Sequence, residues 1–177
     1  MASYHAIAAT GRAILRVLED ACPRDVFPSA VYDFLPADAS AAPPAEGVTL
    51  HLYRVAPDPA RRSLPPAQFP PGKRQRPAVS LNLYYLVSAW SASAETQQRL
   101  LGCAIQALAA APVLTPELLN TFGPEPQTFR PGELVELTLE PLSLQDMGLL
   151  WAQVRPQPGL AAAYLARGVV LETEADR

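Results

Sequence analysis

Two histidines, two cysteines, scattered serines and a run of glutamates are the groups with which this chain could do chemistry, and their spacing argues against most of it. His5 and His51 each lack a partner at metal-ligand spacing, such as a second His four residues away, so both read as ordinary surface or half-buried residues. Cys22 and Cys103 stand far apart with no paired spacing and read as two reduced, buried thiols rather than a disulfide or a metal pair. Cys103, beside Gly102 on an apolar helix stripe, fits packing better than nucleophilic attack. Ser88, Ser91 and Ser93 sit in no Gly-x-Ser-x-Gly elbow and suit turn and cap chemistry. Glu133, Glu136 and Glu140 fall on or near the wet face of a predicted strand, whereas an acid–base pair needs opposed carboxyls in different surroundings. Gly72, Lys73 and Arg74 lack the rest of a phosphate-binding loop. The inventory predicts no catalytic residue, no metal ligand and no cofactor.

What stands out instead is the stretch from about 57 to 77, PDPARRSLPPAQFPPGKRQRP. Proline fixes φ and removes backbone donors, which predicts a long extended excursion between two strands rather than a helix or a central strand. Five cations sit on it: Arg61, Arg62, Lys73, Arg74 and Arg76. These are the candidate partner-binding residues, on an arm that orders against a neighbouring subunit, where cationic side chains meet acidic surface and the prolines limit the entropy lost. A solvated hairpin arm with no partner is the plainer alternative. Nucleic acid is disfavoured, because Phe69 is the one interleaved aromatic and the chain as a whole carries a net charge of −3.

The arm interrupts an alternation of strands and helices. Ser3 is placed to cap a first helix with Ile7, Ile14, Leu15 and Leu18 on one face; Gly11 weakens its middle and Pro23 ends it. Ala30 to Leu35 reads as a short strand, 37–45 as a polar loop, and Val48 to Val55 as a second strand. From Val79 the apolar positions alternate, with Val79, Leu81, Leu83, Tyr85 and Val87 on a core face and Ser80, Asn82, Tyr84 and Ser88 mostly on the other, which can meet water. Ser93 then caps a helix with Glu95 in its first turn and Leu100, Leu101, Ala104, Ile105 and Leu108 on one side, up to Pro112. Thr115 and Pro116 start a short helix that breaks at 123–126. Glu133 to Glu140 alternates as a strand, and Ser143 with Asp146 resembles a capping box opening a helix with Leu144, Met147, Leu150 and Trp151. Tyr164 to Glu172 completes the pattern as a strand.

With 177 residues, 49% hydrophobic and 18% charged, the chain has the length for one core and a sparsely charged exterior. Such an exterior favours a protein whose surface is partly covered in its working state. Arg12 and Arg16 interrupt the Ala-rich N-terminus where an export signal would need an apolar run, and no segment has membrane-spanning length. Synthesis and assembly are expected in the cytoplasm.

Four blocks carry a family resemblance: YLVSAW at 85–90, RLLGCAIQALAAAPVL at 99–114, LW at 150–151 and AAAYLARGVVLE at 161–172. Together they resemble the cap, or tail-terminator, proteins of contractile injection systems, the phage-tail-like particles of bacteria. The resemblance implies an α/β (α+β) single domain over 1–177, with a mixed or antiparallel sheet of about four to five strands and helices packed on one side. It also implies a homo-hexameric ring that ends inner-tube and sheath polymerisation and anchors the last sheath ring. Its partners would be copies of itself, the sheath protein and the tube protein, with no nucleic acid and no membrane segment. The finished particle would be released or cell-associated. The matching positions, Tyr85, Leu86, Trp90, Leu101, Gly102, Leu150, Trp151 and Tyr164, are structural, and Gly102 would permit close packing of helix on sheet. Two rivals stay open. One is an interaction adaptor working as monomer or dimer; the other is an enzyme with a deep pocket joining His51 to Tyr53 or a carboxylate.

Overall fold

The computed structural model of this chain describes residues 4–36, 42–61, 78–121, 128–154 and 159–172. Six strands form one curled, mixed sheet. They are β1 (Val31–Phe34), β2 (Gly47–Pro57), β3 (Ala78–Trp90), β4 (Val113–Leu114), β5 (Val135–Glu140) and β6 (Leu160–Glu172), in spatial order β1-β2-β3-β6-β5-β4. Only β1 runs parallel to its neighbour, β2. Among the described residues the α-helices are α1 (His5–Ala21), α2 (Ala94–Ala110), α3 (Pro116–Thr121) and α4 (Leu144–Gln153). The strand beyond the four to five expected is β4, two residues directly after Pro112 that pair with Val135 and Glu136.

The core lies where the alternation of β3 puts it. Leu81, Leu83, Tyr85, Val87 and Ala89 face α1 and α2, whose Ile14, Leu18, Leu100, Ala104 and Leu108 are buried against them. Each fully buried Leu or Ile contributes roughly 1.5–3 kcal/mol relative to exposure. Small residues on the inner side of α1, Ala6, Ala9 and Ala13, bring that helix close to the sheet. Gly11 is the extreme case, since a Cβ there would sit 2.7 Å from Phe34 Cε1. Close packing therefore falls to Gly11 and not to Gly102, which is exposed and whose Cβ would meet nothing within 4 Å. Tyr85 donates its hydroxyl to the carbonyl of Ile7 at 3.3 Å, tying β3 to the first turn of α1.

The opposite face of β3 is not wet, contrary to the expectation. Ser80, Asn82, Leu86, Ser88 and Trp90 are all buried, and Trp90 joins Leu35 and Val154 in a second cluster against which Leu150 of α4 packs. Polar side chains suggested solvent, yet at one end Leu35, Val154 and Leu150 of α4 close over Trp90, and at the other Ser80 Oγ meets the Asp58 carboxylate.

The ends of the elements follow local chemistry. Ser93 Oγ accepts from the Thr96 amide at 3.3 Å and caps α2, as expected. Ser143 Oγ accepts from the Asp146 amide at 3.1 Å and donates to the Asp146 carboxylate at 2.7 Å, so Asp closes the cap on the serine hydroxyl rather than reaching a backbone amide. Tyr4 occupies the cap position of α1 without a side-chain bond, while Ser3 lies outside the described residues. Gly47, at φ 149°, opens β2 where a Cβ would meet the Val31 carbonyl at 2.0 Å. Strand β6 starts at Leu160, four residues before the expected Tyr164, and pairs with β3 along nearly its whole length. Gly168, at φ 91°, is the residue skipped where the register shifts between Leu81 and Asn82.

Candidate functional site

The cationic segment leaves the sheet between β2 and β3. Strand β2 runs two residues past the expected Val55, to Pro57, which pairs with Leu81. Proline is tolerated there because β1 pairs only with Gly47 to Leu50, so this half of β2 is an edge. Asp58 then folds the chain over. Its amide donates to the Ser80 carbonyl at 2.9 Å, its Oδ1 accepts from the Ala60 amide at 3.0 Å, and Ser80 Oγ donates to Oδ2 at 3.5 Å. A single 3-10 turn, Pro59–Arg61, follows. Sequence reasoning passed over Asp58; the signal was an Asp between two prolines, the composition of a side-chain-closed turn. Of the candidate partner-binding residues, Arg61 ends that turn, and Arg62, Lys73, Arg74 and Arg76 lie outside the described residues.

Beside this base sits an aromatic platform. Tyr53 and Tyr84 have ring centroids 6.1 Å apart, and the Arg54 guanidinium lies 4.8 Å over Tyr84. Burial raises the Tyr53 phenol, and the Glu140 carboxylate pushes it the same way. Glu140 at the end of β5 thus lies on the same side of the sheet as Tyr53, within electrostatic reach of its phenol.

At the far end of the molecule α4 presents apolar surface. None of its residues is buried; Leu144 is 94% exposed and Leu149 58%, with Leu139 of β5 at 51%. Of the expected stripe, Met147, Leu150 and Trp151 are mostly covered and Leu144 stands open. Residues 131–153 hold Glu133, Glu136, Glu140 and Asp146 and no Lys or Arg.

The groups with chemical potential do not converge. Burial lowers the affinity of His51 for a proton, so its imidazole is neutral near pH 7. His5 stacks against Tyr4 at 4.0 Å between ring centroids. The thiols, distant in sequence, are neighbours in space: burial and contact with Cys22 push Cys103 up to about 12, and both cysteines are free. Burial, with Cys22 beside it, also raises the Tyr32 phenol. A thiol held so strongly protonated is a poor nucleophile. Among the described residues no group of three His, Cys, Asp or Glu could hold a metal ion, and no helix is long and apolar enough to cross a membrane.

A curled mixed sheet with three helices on one face and α4 at an end of the other is the fold of tube-terminating proteins of contractile injection systems. Residues 9–177 match the Pvc16 N-terminal domain, and the chain belongs to that family. Among solved structures it is similar to the sheath/tube terminator of the PVC extracellular contractile injection system in its extended state, with a TM-score of 0.68 and 19% identity over 96% of this chain. It is also similar to the tube-terminating cap of the anti-feeding prophage, with a TM-score of 0.63 and 15% identity over 93%. The chain spans 57% and 54% of the length of those two proteins. No curated protein matches it.

Proposed function

We infer that the chain is a structural cap of a contractile injection system. Copies close into a ring, six-fold as in the resemblance, that ends growth of the inner tube and sheath and anchors the last sheath ring. The observation that carries this is the family match over nearly the whole chain together with the shared fold of two terminators. The physics fits a passive role: a large core, scattered chemical groups, and a charge distribution that separates cations on 59–77 from acids on 131–153. A ring is made of head-to-tail contacts that close only at the right rotation per subunit, and opposite charges on different parts of one chain suit such contacts. The domain serves without catalysis and without a cofactor, and assembles in the cytoplasm into a particle. The 57–77 arm, through Arg61, Arg62, Lys73, Arg74 and Arg76, touches the neighbouring subunit or the sheath. Deleting residues 61–76 and counting capped tails by electron microscopy tests the arm: uncapped or overgrown tails are expected, and normal tail length with an intact ring rejects its role.

A further inference from the structure

We propose that Cys22 and Cys103 are a redox pair: free thiols in the reduced chain, they close into a disulfide that ties the end of α1 to the middle of α2 when the chain meets a low-molecular-weight disulfide. A reducing cytosol keeps the pair open, and an oxidising exterior closes it. The pair stands apart from the capping role and does not depend on it.

Printed contacts lead from one thiol to the other. Cys22 is the C-cap of α1, its amide donating to the Leu18 carbonyl at 3.1 Å, and it is 2% exposed. The chain then makes a tight turn in which the Phe27 amide returns to the Pro23 carbonyl at 3.0 Å. The Arg99 guanidinium lies 5.6 Å over the Phe27 ring, so this turn lies against α2, and Cys103 stands one helical turn along from Arg99 on the same side. There the two thiols are in hydrogen-bond contact, both of them free. From the sheet, Tyr32 brings a buried hydroxyl without an oxygen or nitrogen partner to the same two sulfurs. Thiols that touch across two packed elements are placed as a disulfide requires, and the chain has no third cysteine to compete. Because α1 and α2 together cover the main core, the bond would fasten that layer to itself.

The less buried thiol, Cys103, reacts first. Its thiolate attacks one sulfur of the small disulfide, forming a mixed disulfide and expelling one small thiolate; the Cys22 thiolate then attacks the Cys103 sulfur and expels the second. The two protein thiols lose two electrons, the small disulfide is reduced to two thiols, and the two protons pass to those leaving groups. The first step is slow, because burial holds Cys103 protonated.

The test brings the full chain to equilibrium at pH 8.5, folded and in urea, in mixtures of reduced and oxidised glutathione, followed by acid quenching and mass spectrometry. The bond lowers the mass by two hydrogens and joins the peptide of Cys22 to that of Cys103 after proteolysis. A bond that stabilises the fold is favoured by folding to the same degree. The folded chain should therefore keep it at a ratio of squared reduced to oxidised glutathione roughly 30- to 1000-fold higher than the chain in urea does. The oxidised chain should also melt about 5–15 °C above the reduced one. A folded chain that holds the bond no better than the unfolded chain, or that carries glutathione on Cys103 without closing, overturns the proposal, as does an oxidised chain that melts at or below the reduced one.

Discussion

The indole Nε1 of Trp90 donates a 2.7 Å hydrogen bond to Thr49 Oγ1 between adjacent strands on the face opposite the main core. Both side chains are buried, Thr49 at 2% exposure. The bond pins the last residue of β3, where the chain turns into α2, to β2, and holds Trp90 in place as the floor for Leu150 and Val154. Trp90→Phe removes the donor and part of the floor, while Thr49→Val removes the acceptor and leaves a buried N–H unpaired. Each should cost about 1–3 kcal/mol, and the double variant less than the sum of the two. Urea unfolding of the three variants measures this, and full additivity would mean that the bond contributes nothing.

Two glycines should respond in opposite directions to the same substitution. Gly11→Ala forces a methyl to within 2.7 Å of the Phe34 ring and should destabilise by about 1–3 kcal/mol. Gly102→Ala meets open space in an exposed helix position and should stabilise by about 0.5–1 kcal/mol. Melting temperatures of the two variants check the pair, and equal shifts would refute the packing described for α1.

His51 makes stability depend on pH. Its folded pKa lies below the ordinary 6.5 because burial disfavours the imidazolium. As pH falls below 6.5 the unfolded chain takes up a proton that the folded chain refuses, so stability present above 6.5 declines toward the folded pKa. His51→Gln should flatten this part of the profile. Denaturant midpoints at pH 7.5, 6.5 and 5.5 for both proteins measure it.

The neighbouring thiols should be slow to react. With Cys103 held near 12 and Cys22 buried, a thiol reagent at pH 7.5 should label the native chain far more slowly than the urea-unfolded chain, which should titrate as two thiols. Rapid native labelling of Cys103 would place it outside its buried pairing.

How far the sequence could be read depended on whether the deciding contacts were local. The β3–α2 block was readable because its signals are: alternation from Leu81 to Val87, the Ser93 cap and the stop at Pro112. Strand β6 was read four residues short because Ala161, Ala162 and Ala163 have little strand preference of their own and owe their state to pairing with Leu86, Val87 and Ser88. Burial of Ser80, Asn82 and Ser88 was missed because a polar side chain in an alternating strand reads the same whether its face is wet or covered; for Ser80 the partner, Asp58, lies 22 residues away. Gly11 looked like a helix defect because Phe34 cannot be seen beside it in one dimension. The approach of Cys22 to Cys103 follows only from the packing of α1 on α2. Of the candidate site, the concentration of charge was plain from composition, while the exposure of Leu144 and Leu149 on α4 was not, because an apolar side chain looks the same in sequence whether covered or open.

The central claim is that this chain ends a tube and holds a sheath. Particles assembled in cells lacking it, imaged by electron microscopy with wild-type particles alongside, test that most directly. The account predicts tubes of irregular length with sheath missing or detached at the end away from the baseplate, restored when the chain is supplied. Particles of normal, uniform length with sheath attached throughout would contradict it.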